Sequence, residues 1–274
     1  MRRRRAGHGD DRGAGLTQLH VEEHGDGFPL LLIQGLGWAK WPSQLQWADY
    51  AQRRRVLAFD NRGTGLSDKP AGPYSIEQLA DDAASVLETR GIEQADVYGH
   101  SMGGYIALTL ALRRPDLVRS LVLVGTGPGG PDHLPPPAET LAVWITADKL
   151  SGEEAVRISL PMSFPPGWAE EHPGEFERWV AARLDPPTPR ERWLDQARAV
   201  DRYKDAGVEV ERIDVPALVV HGELDRVVPV SNGRLLAERL PSAELVVLPT
   251  AGHAPMLELP QEFSALICRF LDAL

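Results

Sequence analysis

The chain has 274 residues, 43% of them hydrophobic and 25% charged, which suits one large α/β domain or a core domain with an insertion. Its net charge of −10, more acidic still without Arg2, Arg3, Arg4 and Arg5, argues against nucleic acid or an anionic membrane as a partner. The one cysteine, Cys268, excludes an intrachain disulfide, and no apolar run approaches the roughly 18 residues of a membrane-spanning helix.

Residues 1–15 are arginine-rich, then rich in glycine and aspartate. No apolar stretch follows the arginines, so they do not form a twin-arginine export signal; a disordered tail on a cytoplasmic protein is expected. Residues 16–23 predict an opening strand, and the continuous apolar runs at 30–33 and 56–59 predict buried ones. Ile76, Leu79, Ala80, Ala83, Val86 and Leu87 recur at helical spacing and predict an amphipathic helix over 75–90. A strand at 95–98 runs into Gly99-His100-Ser101-Met102-Gly103-Gly104, and a helix-forming stretch follows at 105–113. Further short strands are expected at 121–124, 218–221 and 245–248. Phe263, Leu266, Ile267, Phe270 and Leu271 mark a closing helix, with Cys268 on its apolar stripe as a small core residue. Short apolar strands alternating with helices predict a mostly parallel sheet covered on both faces.

Between 129 and 213 the alternation stops. No strand is evident, prolines cluster at Pro135-Pro136-Pro137, Pro165-Pro166 and Pro186-Pro187, and helix-like pieces fall at 138–149, 176–184 and 190–203. This segment is expected to be a helical cap over the strand ends, with 16–128 and 214–274 forming the core.

The stretch around Ser101 is G-x-S-x-G between a strand and a helix, the pattern of a nucleophile elbow. Glycines at 99 and 103 permit a tight turn and close packing, and the following helix N-terminus favours developing negative charge. A serine nucleophile needs a base, and the base an acid to orient it. With a nucleophile elbow the chain order is serine, acid, histidine. Asp225 follows the strand at 218–221 in His221-Gly222-Glu223-Leu224-Asp225, with Glu223 a weaker candidate for the acid. His253 follows the strand at 245–248 in Ala251-Gly252-His253-Ala254-Pro255. His100 and His221, which flank the nucleophile and the acid, are expected to stabilise turns. The oxyanion needs two donors. They are assigned to the backbone N–H of Met102 and, from the loop Gln34-Gly35-Leu36-Gly37, that of Leu36.

On these pieces, together with Asp60-Asn61-Arg62-Gly63-Thr64-Gly65-Leu66-Ser67, the chain resembles the α/β-hydrolase superfamily from about residue 16 onward. The closer likeness is to the branch of 3-oxoadipate enol-lactonases, small carboxylesterases and polyketide methylesterases. The resemblance implies an eight-stranded, mostly parallel sheet with a helical cap after the sixth strand. It also implies attack of Ser101 on an ester or lactone carbonyl, an acyl-enzyme, and no metal or organic cofactor. Family members often carry His-Gly where this chain has Gln34-Gly35, which alters the polarity of the oxyanion loop. Related dehalogenases and epoxide hydrolases carry aspartate where this chain has Ser101, so those chemistries are not expected.

The substrate should be a small molecule, met by the cap and the oxyanion loop. Trp38, Gln34, Trp144, Met162 and Phe164 are the candidate pocket residues, and Arg157, Arg178 and Arg183 are candidates for a substrate carboxylate. Two other readings stay open: a lyase, cyclase, perhydrolase or C–C-bond hydrolase on the same scaffold, or a ligand-binding protein that keeps a residual triad. Monomer and homo-oligomer are equally compatible with the sequence.

Overall fold

Each short apolar run falls within a strand, and the runs of the inner strands are buried from both sides. The computed structural model describes residues 17–274, so the tail expected at 1–15 lies outside the described residues. The strands are β1 (Val21–His24), β2 (Phe28–Ile33), β3 (Arg54–Phe59), β4 (Ala95–His100), β5 (Val118–Val124), β6 (Ala217–Gly222) and β7 (Ala243–Leu248). They form one sheet in the order β1-β3-β2-β4-β5-β6-β7, with β1 antiparallel to β3 and every other pairing parallel. Seven strands are thus seen among the described residues, and the inserted helical segment follows the fifth. The opening strand begins at Val21, later than the pattern at 16–23 suggested.

The helices, in chain order, are α1 (Trp47–Tyr50), α2 (Ile76–Glu88), α3 (Met102–Arg113), α4 (Ala138–Ala147), α5 (Gly152–Ser159), α6 (Trp168–Glu171), α7 (Pro173–Leu184), α8 (Arg190–Ala206), α9 (Val230–Arg239), α10 (Pro255–Glu258) and α11 (Pro260–Asp272). Ser75 caps α2, its side chain accepting from the Gln78 N–H at 3.1 Å, a contact of the kind that contributes about 1 kcal/mol.

Alternate strand residues feed two cores. Leu31, Ile33, Leu57, Phe59 and Val97 pack with α2 and α3 on one face. Leu30, Leu32, Val56, Ala58 and Tyr98 pack on the other with Phe263, Ile267 and Leu271 of α11. Because both faces are covered, the strands read as continuous apolar runs rather than alternating ones. Cys268 is half-buried against the second core.

Between β5 and β6 lie α4 to α8 and no strand. Ala199, Val200 and Tyr203 of α8 enter the core that holds α2 and α3, so this helix belongs to the body of the fold as much as to the insertion. Among the described residues no helix is long and apolar enough to cross a membrane.

Candidate active site

Parallel strands deliver their C-terminal ends to one edge, and β4, β5, β6 and β7 lie side by side there. Ser101 sits between β4 and α3 with φ 55° and ψ −119°. Among the described residues it is the one non-glycine with positive φ. Such a backbone costs about 1–3 kcal/mol and persists only where its surroundings hold it. Here Ser101 N–H donates to Val124 O at 2.8 Å, and Ser101 O accepts from the Thr126 hydroxyl at 3.0 Å and from Gly104 N–H at 2.8 Å. Gly103 is needed because a Cβ there would stand 2.1 Å from the Ile33 carbonyl oxygen. The strained turn leaves the Ser101 side chain half-buried at the sheet edge.

Asp225 and His253 meet across the ends of β6 and β7. The His253 Nδ1 and Asp225 Oδ2 are 2.7 Å apart, and both residues are buried. Asp225 Oδ1 accepts from the Val227 and Val228 N–H groups at 2.8 Å each, so the carboxylate is fixed by its own turn. His221 Nε2 lies 3.3 Å from Asp225 Oδ2 and hydrogen-bonds to Val228 O at 2.8 Å. Burial pushes the Asp225 carboxyl up, but His253 and His221 outweigh it and hold the group well below the usual carboxylate range. An ionised Asp225 keeps a proton on His253 Nδ1 and leaves Nε2 free to accept one.

His253 is tied down from both sides. Its N–H donates to Ser163 O at 3.0 Å, and its carbonyl is 2.9 Å from His100 Nε2. The His100 and His253 rings lie 4.8 Å apart, which puts the His253 imidazole beside the residue preceding Ser101. Burial, then the neighbouring His253, push His100 down to about 3, so it is a neutral strut. His100 and His221 both bond to loop carbonyls, the turn-stabilising role expected of them. Among the described residues the Ser101 hydroxyl has no hydrogen-bond partner, His253 included. Catalytic bonds of this kind are often long without substrate and tighten when it binds.

Both segments expected to supply oxyanion donors adjoin Ser101. Met102 is the first residue of α3, and a Cβ on Gly35 would lie 3.1 Å from Ser101 Cβ, so the loop after β2 rests directly on the elbow. Neither Leu36 N–H nor Met102 N–H donates to any described residue.

The sequence matches the family described as alpha/beta hydrolase fold over residues 28–260. The chain belongs to that family. It is 34% identical to 2-hydroxymuconate semialdehyde hydrolase of Pseudomonas sp. strain CF600, covering 93% of this chain and 90% of that protein. It is 32% identical, over 96% of both chains, to a protein of Azorhizobium caulinodans named as a carbamate hydrolase. The crystal structure of the enol-lactonase from Burkholderia xenovorans LB400 superposes with a TM-score of 0.82 at 27% identity, covering 93% of this chain and 97% of that one.

The candidate pocket residues of this hydrolase separate into two groups. Gln34, the first residue of the loop after β2, is buried; its Nε2 donates to the Ser43 hydroxyl at 3.0 Å, and Ser43 in turn donates to Lys40 O at 2.8 Å. That chain fixes the amide orientation and leaves Gln34 Oε1 buried without a partner among the described residues. Trp38 is buried with its ring 5.4 Å from His100 and stacked on Trp41, which stacks on Trp179. Met162 and Phe164 flank Ser163, and the Phe164 ring stacks on Trp168 at 4.2 Å. Trp144 lies elsewhere, on a cavity of about 930 Å³ between α4 and α8 that it shares with Trp193; none of Ser101, Asp225 and His253 lines it. Of the candidate arginines, Arg157 is paired with Glu153 and Glu177, and Arg178 lies over the Trp179 ring. Arg183 donates to the Gly37 carbonyl.

Sequence reasoning missed Glu258. Its carboxylate accepts from Gly252 N–H at 2.8 Å and Ala254 N–H at 3.1 Å, gripping the backbone on both sides of His253. No capping box marked it in the sequence, since the cap residue is Ala254 and the acid stands four rather than three residues beyond it. Burial raises the Glu258 carboxyl from 4.5 to about 7 against the pull of those two N–H groups. The stability this group contributes is therefore fully present below about pH 4.5 and is lost as pH rises through about 7. Urea midpoints of wild type and Glu258→Gln across pH 4–9 should diverge in that window, the wild type losing stability relative to the variant as pH rises. Parallel curves would show that Glu258 does not titrate there. The opposing contribution of His100 is common to both proteins and cancels.

Proposed function

We propose that the protein is a serine hydrolase that cleaves a carboxylic ester or lactone of a small organic molecule through an acyl-enzyme. The observation carrying this reading is the 2.7 Å Asp225–His253 contact beside the strained Ser101 elbow. His253 takes the Ser101 proton on Nε2 while Oγ attacks the carbonyl carbon. The tetrahedral oxyanion is received by the Leu36 and Met102 N–H groups. His253 then delivers its proton to the leaving alcohol, and water, activated by the same imidazole, cleaves the acyl-enzyme. Asp225 orients the ring and stabilises its cation in both halves. The chemistry requires neither metal nor organic cofactor.

The pocket walls in this reading are Trp38, Gln34, Met162 and Phe164, with Trp144 at the more distant cavity. The Burkholderia enol-lactonase, similar over nearly the full chain, supports a lactone or ester. The 34% identity to 2-hydroxymuconate semialdehyde hydrolase favours a second reading, a C–C-bond hydrolase with the same nucleophile or base.

Incubation with a fluorophosphonate followed by intact mass and peptide mapping tests the shared core of these readings. One adduct, on Ser101, is expected; a well-folded protein that takes none overturns the nucleophile assignment. Turnover of a panel of p-nitrophenyl esters and simple lactones set against 2-hydroxymuconate semialdehyde then separates the two substrates.

A further inference from the structure

Gly37, one residue beyond the expected oxyanion donor Leu36, is held on both of its peptide groups from the inserted segment. Its N–H donates to Gln196 Oε1 at 2.8 Å. Its carbonyl accepts from the Thr188 hydroxyl at 3.0 Å and from the Arg183 guanidinium. Gln196 is fully buried, and its other end is also committed, Nε2 donating to Arg62 O at 2.9 Å. The side chain cannot rotate without giving up two buried hydrogen bonds. Trp193, three residues earlier on α8, covers the same glycine: a Cβ on Gly37 would meet Trp193 Cδ1 at 2.5 Å, and its φ of +65° is a conformation that glycine adopts freely.

The helix that carries Gln196 is itself anchored. Ala199, Val200 and Tyr203 of α8 sit in the core with α2 and α3, and the Tyr203 ring stacks on Tyr105 at 4.5 Å. Tyr105 lies on the first turn of α3, the helix that opens with Met102. One helix thus touches both supports of the oxyanion site, the loop of Leu36 through Gln196 and the helix of Met102 through Tyr203.

A glycine-containing loop can rotate its peptide planes at little steric cost; here Trp38 N–H closes the turn on Gly35 O at 3.1 Å, and Gln196 fixes the next peptide plane from outside the loop. With Gln196 present, Gly37 N–H is satisfied, and Leu36 N–H stays unpartnered among the described residues. Without it, a buried N–H is orphaned, and the loop gains by turning to satisfy it. We propose that Gln196 is a positioning residue that locks the loop so that Leu36 N–H faces the developing oxyanion. This rests on the serine-hydrolase reading.

The test uses the full chain carrying Gln196→Leu, which keeps bulk and removes both bonds, and Gln196→Glu, which keeps an acceptor for Gly37 N–H. For Gln196→Leu, kcat on an activated ester should fall roughly 10- to 100-fold, less than the loss of a whole oxyanion donor, with KM within about 3-fold of wild type. The fluorophosphonate labelling rate should fall by the same factor. Gln196→Glu should recover part of kcat. Hydrogen exchange of the peptide covering residues 34–38 should rise about 10-fold or more in Gln196→Leu. Should that variant fail to fold, Thr188→Val removes only the hydroxyl bond to Gly37 O and should show the same pattern more weakly. A folded Gln196→Leu with kcat within 3-fold of wild type, or with unchanged exchange at 34–38, overturns the proposal; a purely structural glutamine would lower Tm and leave kcat alone. If wild type neither labels nor turns over, the serine-hydrolase reading falls and takes the catalytic role of Gln196 with it, while the exchange data still decide whether the clamp exists.

Discussion

Ser101→Ala is expected to fold as the wild type does and to lose at least about 10³-fold in kcat on any ester the protein cleaves. In the proposed mechanism the loss follows from removing the nucleophilic oxygen; what survives is the catalysis that an oxyanion site and substrate binding provide to water, about 10³–10⁴ over the uncatalysed reaction in serine triads. The intact fold follows from three details. The Ser101 hydroxyl has no hydrogen-bond partner among the described residues, so nothing is orphaned when it goes. The backbone bonds to Val124, Thr126 and Gly104 do not involve the side chain. Alanine keeps the Cβ, so the strain at φ 55° is unchanged. Stability should therefore move by no more than about 0.5 kcal/mol. Steady-state turnover with a thermal melt checks both halves: residual activity above one-thousandth of wild type removes Ser101 from its assigned role, and a large drop in Tm shows that the side chain supports the turn.

The elbow could be found in the sequence because every part of it is local. A strand, two glycines and a helix within a dozen residues determine one backbone path, and the serine at its apex has no packing task that would explain it. Asp225 and His253 were legible for a related reason: each follows the end of a buried strand, and parallel strands present their C-terminal ends on the same edge. The strand centres were visible as apolar runs, but their ends were not. β3 begins at Arg54 and β5 passes through Ser120, polar residues that ladder pairing accepts and an apolar pattern does not mark. α5 was missed because it is only eight residues long and its apolar side, with Val156 against the second core, is no more than half-buried. Gln196 was out of reach for the opposite reason. It is 159 residues from Gly37, and a glutamine on a strongly charged helix carries no sign of the backbone group it will meet. The same helix hid its core half, because Ala199, Val200 and Tyr203 are few among arginines and aspartates.

Asp225→Asn should lower kcat by about 10⁴-fold, the scale of the same change in other serine triads, while largely preserving the site's shape. An asparagine can keep its Oδ1 on the Val227 and Val228 N–H groups, since those bonds need only an acceptor. The change falls on the other atom. Where Asp225 Oδ2 accepts from His253 Nδ1 at 2.7 Å, an amide NH₂ would donate. His253 would then carry its proton on Nε2, the nitrogen that must receive the Ser101 proton, and would have no lone pair to offer there. The imidazolium formed on attack would also lose its buried counter-charge. Two measurements separate this account from simple destabilisation. The fluorophosphonate labelling rate should fall with kcat, because phosphonylation also needs the proton removed, whereas KM should stay within a few-fold, because no binding group has changed. Asp225→Ala should by contrast lose stability as well, by about 1–3 kcal/mol, because the Val227 and Val228 N–H groups lose their acceptor. An Asp225→Asn protein that labels at the wild-type rate would show that His253 does not depend on Asp225 for its tautomer, and the acid of this site would have to be sought elsewhere, first at Glu223. Glu223 is an unpromising substitute: it is exposed, and Arg234 already pairs with it at 2.7 Å.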